Sequence, residues 1–172
     1  VFTPSNWGVA QTVTVTGQDD DVDDGDVAYT IVLGAATSTD SNYSGVDADD
    51  VNLTNLDDAD TAGITVSSPS GITTTEGGGS VTFTVQLDSE PTSSVTIPVS
   101  SSDSGEGTAG ASPLVFTPSN WGVAQTVTVT GQDDAASDGD IAYTIELSAA
   151  TSTDAKYNGL NPDDVSLTNL DD

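Results

Sequence analysis

The first 58 residues of the chain return, almost letter for letter, as residues 115 to 172. VFTPSNWGVAQTVTVTGQDD opens both copies and LTNLDD closes both, and about 45 of the 58 paired positions are identical. The period of about 114 residues is longer than the roughly 20 to 50 residues of solenoid repeats and matches the size of one whole domain. Near-identical neighbouring domains indicate a chain built for length and uniform mechanics, because a catalytic site need be made only once. The repetition therefore predicts a structural array. It makes residues 61–172 a complete repeat and residues 1–60 the C-terminal half of the preceding repeat plus a linker, with the boundary at Asp57-Asp58-Ala59-Asp60.

Residues 80–87, SVTFTVQL, place Val81, Phe83, Val85 and Leu87 on one face and Thr82, Thr84 and Gln86 on the other, the pattern of a half-buried strand. The same alternation recurs in Ile64-Val66, Val95-Ile97-Val99, Val127-Val129, Ile141-Tyr143-Ile145-Leu147 and Val165-Leu167. In the first copy it gives Val13-Val15, Val27-Tyr29-Ile31-Leu33 and Val51-Leu53. SSPSG, EGGGS, SSDSGEGTAG, TPSNWG and DDAASDGD separate these runs, and no stretch shows a helical period. About seven short strands divided by turn signals predict an antiparallel immunoglobulin-like β-sandwich. Pro98, inside a strand pattern, marks a sheet edge or a bulge. Trp7 and Trp121 are one position in two copies, expected to cover the edge of the core. The strands of the first copy alone would leave an apolar face and open edges, so strands resembling residues 61–114 are expected to complete it, from the same polypeptide or from an adjacent subunit.

The chain has 28 acidic residues against one base, Lys156, with no Arg, His or Cys, for a formal charge of -27. Self-repulsion on this scale opposes compaction unless cations offset it. Nucleic acid, anionic membranes and phosphate ligands call for Lys or Arg and are not expected partners. Without His or Cys there is no triad and no thiol nucleophile, so the chain is not expected to be an enzyme. No apolar run reaches the roughly 20 residues of a membrane span, and the N-terminus lacks a signal-peptide pattern, which predicts a soluble segment from the interior of a longer protein.

The acids gather where strands end. Glu76 precedes three glycines, Glu106 lies in SGEGTAG, Asp133, Asp134, Asp138 and Asp140 lie in GQDDAASDGD, and Asp171 and Asp172 close the copy. In a sandwich, loops from alternate strand ends meet at one pole. Carboxylates crowded there raise one another's pKa unless a divalent ion sits among them, and an oxygen-only donor set suits Ca2+ with its roughly six to eight ligands. The competing reading is a solvated acidic surface adapted to high salt; the Thr and Ser on the outward strand faces favour the ion. An EF-hand is not supported, because counting from Asp20 the twelfth position is Ile31 and no helices flank it. Asp21 and Asp23 become Ala135 and Ser137, so a site common to both copies excludes them.

At Glu76-Gly77-Gly78-Gly79-Ser80-Val81, Glu106-Gly107-Thr108-Ala109, Asp133-Asp134 with Asp138, and Asp171-Asp172, the chain resembles the Calx-β family and the related repeats of very large bacterial surface adhesins. The resemblance covers residues 61–172 and, through the repeat, 1–58. It implies an all-β chain of Calx-β-like sandwich repeats in tandem. It places calcium ligands on Glu76, Glu106, Asp133, Asp134, Asp138, Asp171 and Asp172, and on Asp19, Asp20, Asp24, Asp57 and Asp58 in the first copy. The terminal run here reads Asp-Asp-Ala-Asp, which leaves Asp60 outside the pattern. The function implied is a calcium-rigidified extender of a giant extracellular or cell-surface bacterial adhesin or matrix fibre, whose partners are calcium and neighbouring copies of the repeat. The alternative is a subunit of an extracellular filament that polymerises by strand complementation between half-domains.

Overall fold

An alternating sequence becomes a strand only where another strand takes up its backbone N–H and C=O groups. The computed structural model, which describes residues 1–67 and 72–172, shows this twice over; the turn signal at 68–71 lies outside the described residues. The chain divides into unit 1, residues 1–20 with 24–58, and unit 2, residues 21–23 with 59–172.

In unit 1, β1 (Val27–Ile31) and β2 (Val51–Asn55) form an antiparallel hairpin with Tyr29 opposite Leu53. The stretch Val13-Val15, expected as a strand, forms none, and Val13 is 74% exposed. Its alternation supplies an apolar face, but among the described residues of unit 1 no strand lies alongside to pair with it.

Unit 2 contains β3 (Ile64–Ser67), β4 (Thr73–Thr75), β5 (Ser80–Leu87), β6 (Val95–Ile97), β7 (Val99–Ser101), β8 (Gly107–Ala109), β9 (Leu114–Phe116), β10 (Gln125–Gly131), β11 (Ile141–Leu147) and β12 (Val165–Leu170). One sheet runs β3-β5-β10-β8, the other β4-β12-β11-β7, and β6 pairs with β9. Among the described residues of unit 2 these strands pair antiparallel, except β4, which lies parallel beside β12. This is the immunoglobulin-like order, with the first two short strands divided between the two sheets. Phe83, Val85 and Leu87 of β5 and Val127 and Val129 of β10 pack with Tyr143, Ile145 and Leu147 of β11 and Val165 and Leu167 of β12. Each such side chain contributes about 1.5 to 3 kcal/mol by leaving water. Trp121 packs against this cluster, as the sequence led us to expect.

Two further features depart from the sequence reading. The strand expected over Val95-Val99 is two strands, because Pro98 has no N–H: β6 pairs with β9 before it and β7 with β11 after it. The short strands β4, β8 and β9 lie outside the expected runs; they owe their conformation to ladders with β12, β10 and β6. Within unit 2, the Glu90 N–H donates to the Asp21 carbonyl, and the Asp23 carboxylate accepts from Lys156 Nζ and the Ala62 N–H. These contacts, the lysine first, hold the Asp23 carboxyl below its ordinary value. No helix among the described residues is long and apolar enough to cross a membrane.

Candidate metal centre

Strand register decides which acids meet. β4 runs parallel to β12 with Thr75 opposite Leu170, so the residues that follow, Glu76 and Asp171, leave the sheet side by side. The Glu76 N–H donates to the Leu170 carbonyl at 3.1 Å. In the other sheet Gly131 of β10 lies opposite Gly107 of β8, and the Gln132 N–H donates to the Glu106 carbonyl at 2.9 Å. Glu106 is thereby held against the start of the β10–β11 loop that carries the aspartates.

Glu76, Asp138 and Asp171 each bring one carboxylate oxygen within 4.8 Å of the other two, and Glu106, Asp134 and Asp138 do the same. Asp138 belongs to both groups and joins them. Asp133 and Asp172 belong to neither. For the terminal pair the pleat explains the choice: Asp171 has the parity of Val165, Leu167 and Asn169, the inward row of β12, and Asp172 has the opposite parity. Asp172 contributes its backbone, whose N–H donates to the Glu76 carboxylate. The same rule would select Asp133 over Asp134, but β10 ends at Gly131 and its pleat ends there too. Asp140 acts on Asp171: its Oδ1 accepts the Asp171 N–H at 3.3 Å, while the Gly139 N–H donates to Asp171 Oδ2 at 3.2 Å. Gly139 has a φ of 82°, a backbone conformation that suits glycine.

Sequence reasoning missed Asn169. This buried side chain donates from Nδ2 to Glu106 Oε2 at 3.3 Å and to the Gln132 carbonyl at 3.0 Å. Its Oδ1 accepts from Thr74 Oγ1 at 2.9 Å, and Thr74 Oγ1 lies 2.9 Å from the Tyr143 hydroxyl. The three residues form a buried polar network that orients Glu106. The signal was present: Asn169 occupies an inward position of β12 where the alternation calls for an apolar residue. Close approach of the strands needs two glycines, since a Cβ on Gly107 would run into the Tyr143 ring and one on Gly131 into the Thr75 carbonyl.

Glu76 is 4% exposed. Burial raises its pKa first, Asp171, Asp134 and Asp172 add to the rise, and the Asp172 N–H opposes it. The ionised form is thus disfavoured by its surroundings, a situation that a divalent cation reverses. Five carboxylates without a nitrogen or sulfur donor fit a hard cation.

The first copy repeats part of this arrangement in unit 1. Asp19, Asp20, Asp24, Asp57 and Asp58 line a cavity of about 30 Å³, room for an occupant the size of a water molecule. The Gly25 N–H donates to Asp57 Oδ2 at 3.0 Å, the Asp57 N–H to Asp26 Oδ1 at 3.0 Å, and Asn55 Nδ2 to the Gln18 carbonyl at 2.6 Å. These match the contacts of Gly139, Asp171, Asp140, Asn169 and Gln132. Glu76 and Glu106 have no counterpart in residues 1–58, so this half-site holds aspartates alone.

Away from the acidic groups, Asp154 is also buried, and it accepts the backbone N–H groups of Thr92 at 2.8 Å and Lys156 at 2.9 Å. Burial alone would raise its pKa; the donors from Lys156 and Thr92, with Tyr157 behind them, outweigh burial and lower it from 3.8.

The chain is similar in part to several solved structures. The crystal structure of the apo-form Calx CBD1 domain is similar at 20% identity with a TM-score of 0.46, covering 63% of this chain and 97% of that one. Surface layer protein SbsC, domains 1–6, is similar at 20% identity with a TM-score of 0.40 over 72% of this chain, which spans 15% of that protein. WR4, a C. elegans MSP family member, is similar at 14% identity with a TM-score of 0.39, covering 63% of this chain and 97% of that one. No protein-family model matches the chain, and no curated protein matches it significantly.

Proposed function

We propose that unit 2 is a calcium-stiffened structural repeat, an extender module of an extracellular or cell-surface protein whose partners are calcium and neighbouring copies of itself. One observation carries this reading: Glu76, Glu106, Asp134, Asp138 and Asp171, from both sheets, form two oxygen-only groups joined at Asp138. A divalent ion held there ties the end of β12, the turn after β4, the start of β8 and the β10–β11 loop into one body. Without it the same groups repel one another in a chain of charge -27. Ca2+ at about 100 times its dissociation constant adds roughly 2.7 kcal/mol per site, a large part of a domain's stability. An affinity of about 0.1 to 1 mM, that of extracellular calcium modules, would set the site to extracellular calcium.

Titration calorimetry of the whole chain and of Asp138→Asn tests the reading, because Asp138 serves both groups. The wild type is expected to take up Ca2+ saturably, and the variant at least about tenfold more weakly, a loss of about 1.4 kcal/mol. No saturable uptake, or stabilisation that sodium chloride of equal ionic strength reproduces, would leave only the solvated acidic surface.

A further inference from the structure

Residues 21–23 lie in the first copy by sequence and belong to unit 2 by their contacts. What receives them is built from separate parts of the second repeat. The Glu90 N–H donates to the Asp21 carbonyl at 2.7 Å. The Asp23 carboxylate accepts the Ala62 N–H at 3.0 Å through Oδ2 and Lys156 Nζ at 2.6 Å through Oδ1. Lys156 is the one basic side chain of a sequence with 28 acidic ones, so its placement picks out a single carboxylate. The Asp23 side chain is 18% exposed, which shelters the pair from the screening that weakens ordinary surface bridges.

The receiving groups are held by bonds that do not involve the segment. Beside Ala62, the Gly63 carbonyl accepts the Asp88 N–H at 3.0 Å. The Tyr157 hydroxyl, next in sequence to Lys156, donates to the carbonyl of Ser89, next to Glu90, at 2.7 Å. The buried Asp154 accepts the Thr92 and Lys156 N–H groups at 2.8 and 2.9 Å. A buried tyrosine and a buried aspartate thus tie the loop of Glu90 to the loop of Lys156, and a site fixed in advance loses less freedom when it is filled.

The two copies differ on both sides of this contact. Asp21-Val22-Asp23 stands where the second copy has Ala135-Ala136-Ser137, and Lys156 stands where the first copy has Asn42. Ser137 brings no charge to a lysine, and Asn42 brings none to a carboxylate. Between copies identical at about 45 of 58 positions, the ion pair therefore forms in a single combination, the loop of the first copy with the receiving groups of the second.

We propose that unit 2 carries a recognition site for an acidic loop of the preceding copy, formed by the Ala62 N–H, the Glu90 N–H and Lys156 Nζ, and that the Asp23–Lys156 pair decides which copy's loop it takes. The ligand is a peptide segment with a carboxylate two residues after the carbonyl that Glu90 binds. Near-identical repeats present near-identical surfaces, and a charge pair completed in one order alone discriminates between them. The proposal deepens the reading of neighbouring copies as partners and rests on it, while using none of the candidate calcium ligands.

The test is residue-resolved hydrogen exchange of the full chain, in EDTA and in Ca2+, read at the Ala62 and Glu90 amides. Each substitution installs the residue that the other copy carries at the same position. Asp23→Ser should speed exchange at both amides about tenfold, because it removes a charged acceptor. Lys156→Asn should speed it about threefold, the scale of a partly exposed ion pair. Added to Asp23→Ser, it should change nothing more. Asp21→Ala keeps the carbonyl and should leave both amides as they are, and residues 125–131 should keep their protection in every variant. Unchanged exchange in Asp23→Ser overturns the proposal. Effects of Asp23→Ser and Lys156→Asn that simply add also overturn it, since Lys156 would then act without Asp23. An effect confined to Ca2+ overturns it as well, by making the contact a consequence of the ion. Equal effects in EDTA and in Ca2+ support it whether or not calcium binds, so the calcium reading can fail while this one stands.

Discussion

Val13 and Val127 occupy the same place in the same 20-residue sequence, yet one is 74% exposed and the other fully buried. Tyr43 and Tyr157 differ in the same way, 63% against 1%. Local sequence is constant across each pair, so propensity and alternation cannot be what separates them. The difference is the segment from β3 to β9, which supplies ladder partners for β10 and β11 and the opposing half of the core. The same segment brings Glu76 and Glu106 to the aspartates. Core and candidate metal centre of unit 2 are therefore completed by one stretch of chain, whose counterpart is not among residues 1–58, so that unit 1 shows only part of each.

Paired substitutions should break or sharpen this contrast. The largest effect is expected from Phe116→Ala, which opens a cavity in the unit 2 core and should cost about 3 to 5 kcal/mol in urea unfolding. Phe2→Ala, the same change at an exposed position, should stay within about 0.5 kcal/mol. Equal costs would mean that the two copies are equally packed. Calcium removal comes next. EDTA should lower the melting temperature of unit 2 by the equivalent of roughly 2.7 kcal/mol per site when calcium had been about 100-fold over its dissociation constant. The aspartate-only half-site of unit 1 should bind more weakly, and Glu76→Gln with Glu106→Gln should bring unit 2 down towards it in a calcium titration.

Asp154→Asn against Asp40→Asn is expected to give the smallest difference. Asp154 accepts two backbone N–H groups in a buried setting, so its loss should cost about 1 to 3 kcal/mol at neutral pH. Asp40 is exposed, and its substitution should cost less. The sign of the pH dependence follows from the lowered pKa of Asp154: its contribution is present above the ordinary value of 3.8 and is lost as pH falls through the depressed one. The gap between wild type and Asp154→Asn should therefore close below pH 3.8, as unfolding curves collected across that range would show.

Much of this was legible in the residues. The strong alternation of Ser80–Leu87 and Ile141–Leu147 identified two central strands, and acids at strand ends identified the pole where Glu76, Glu106, Asp134, Asp138 and Asp171 meet. What escaped depends on partners distant in sequence. Thr73–Thr75 has no apolar alternation and is a strand because β12 lies beside it. Val13-Val15 has the alternation and is not one, because nothing in unit 1 pairs with it. Asp133 and Asp172 looked equivalent to their neighbours, and only the end of β10 and the pleat of β12 distinguish them. Asn169 was hidden by its polarity in a row of apolar residues, although that misfit was itself the clue to the buried network with Thr74 and Tyr143.

Backbone amide hydrogen exchange, resolved by residue on the isolated chain at low concentration, tests the central claim most directly, because it compares identical sequences in one molecule. Residues 125–131 are expected to show protection approaching that of global unfolding of unit 2, while residues 11–17, the same seven letters, should exchange nearly as fast as an unstructured peptide. Comparable protection in the two stretches would contradict the account, since it would show that the repeated sequence makes its strand without β5 and β8.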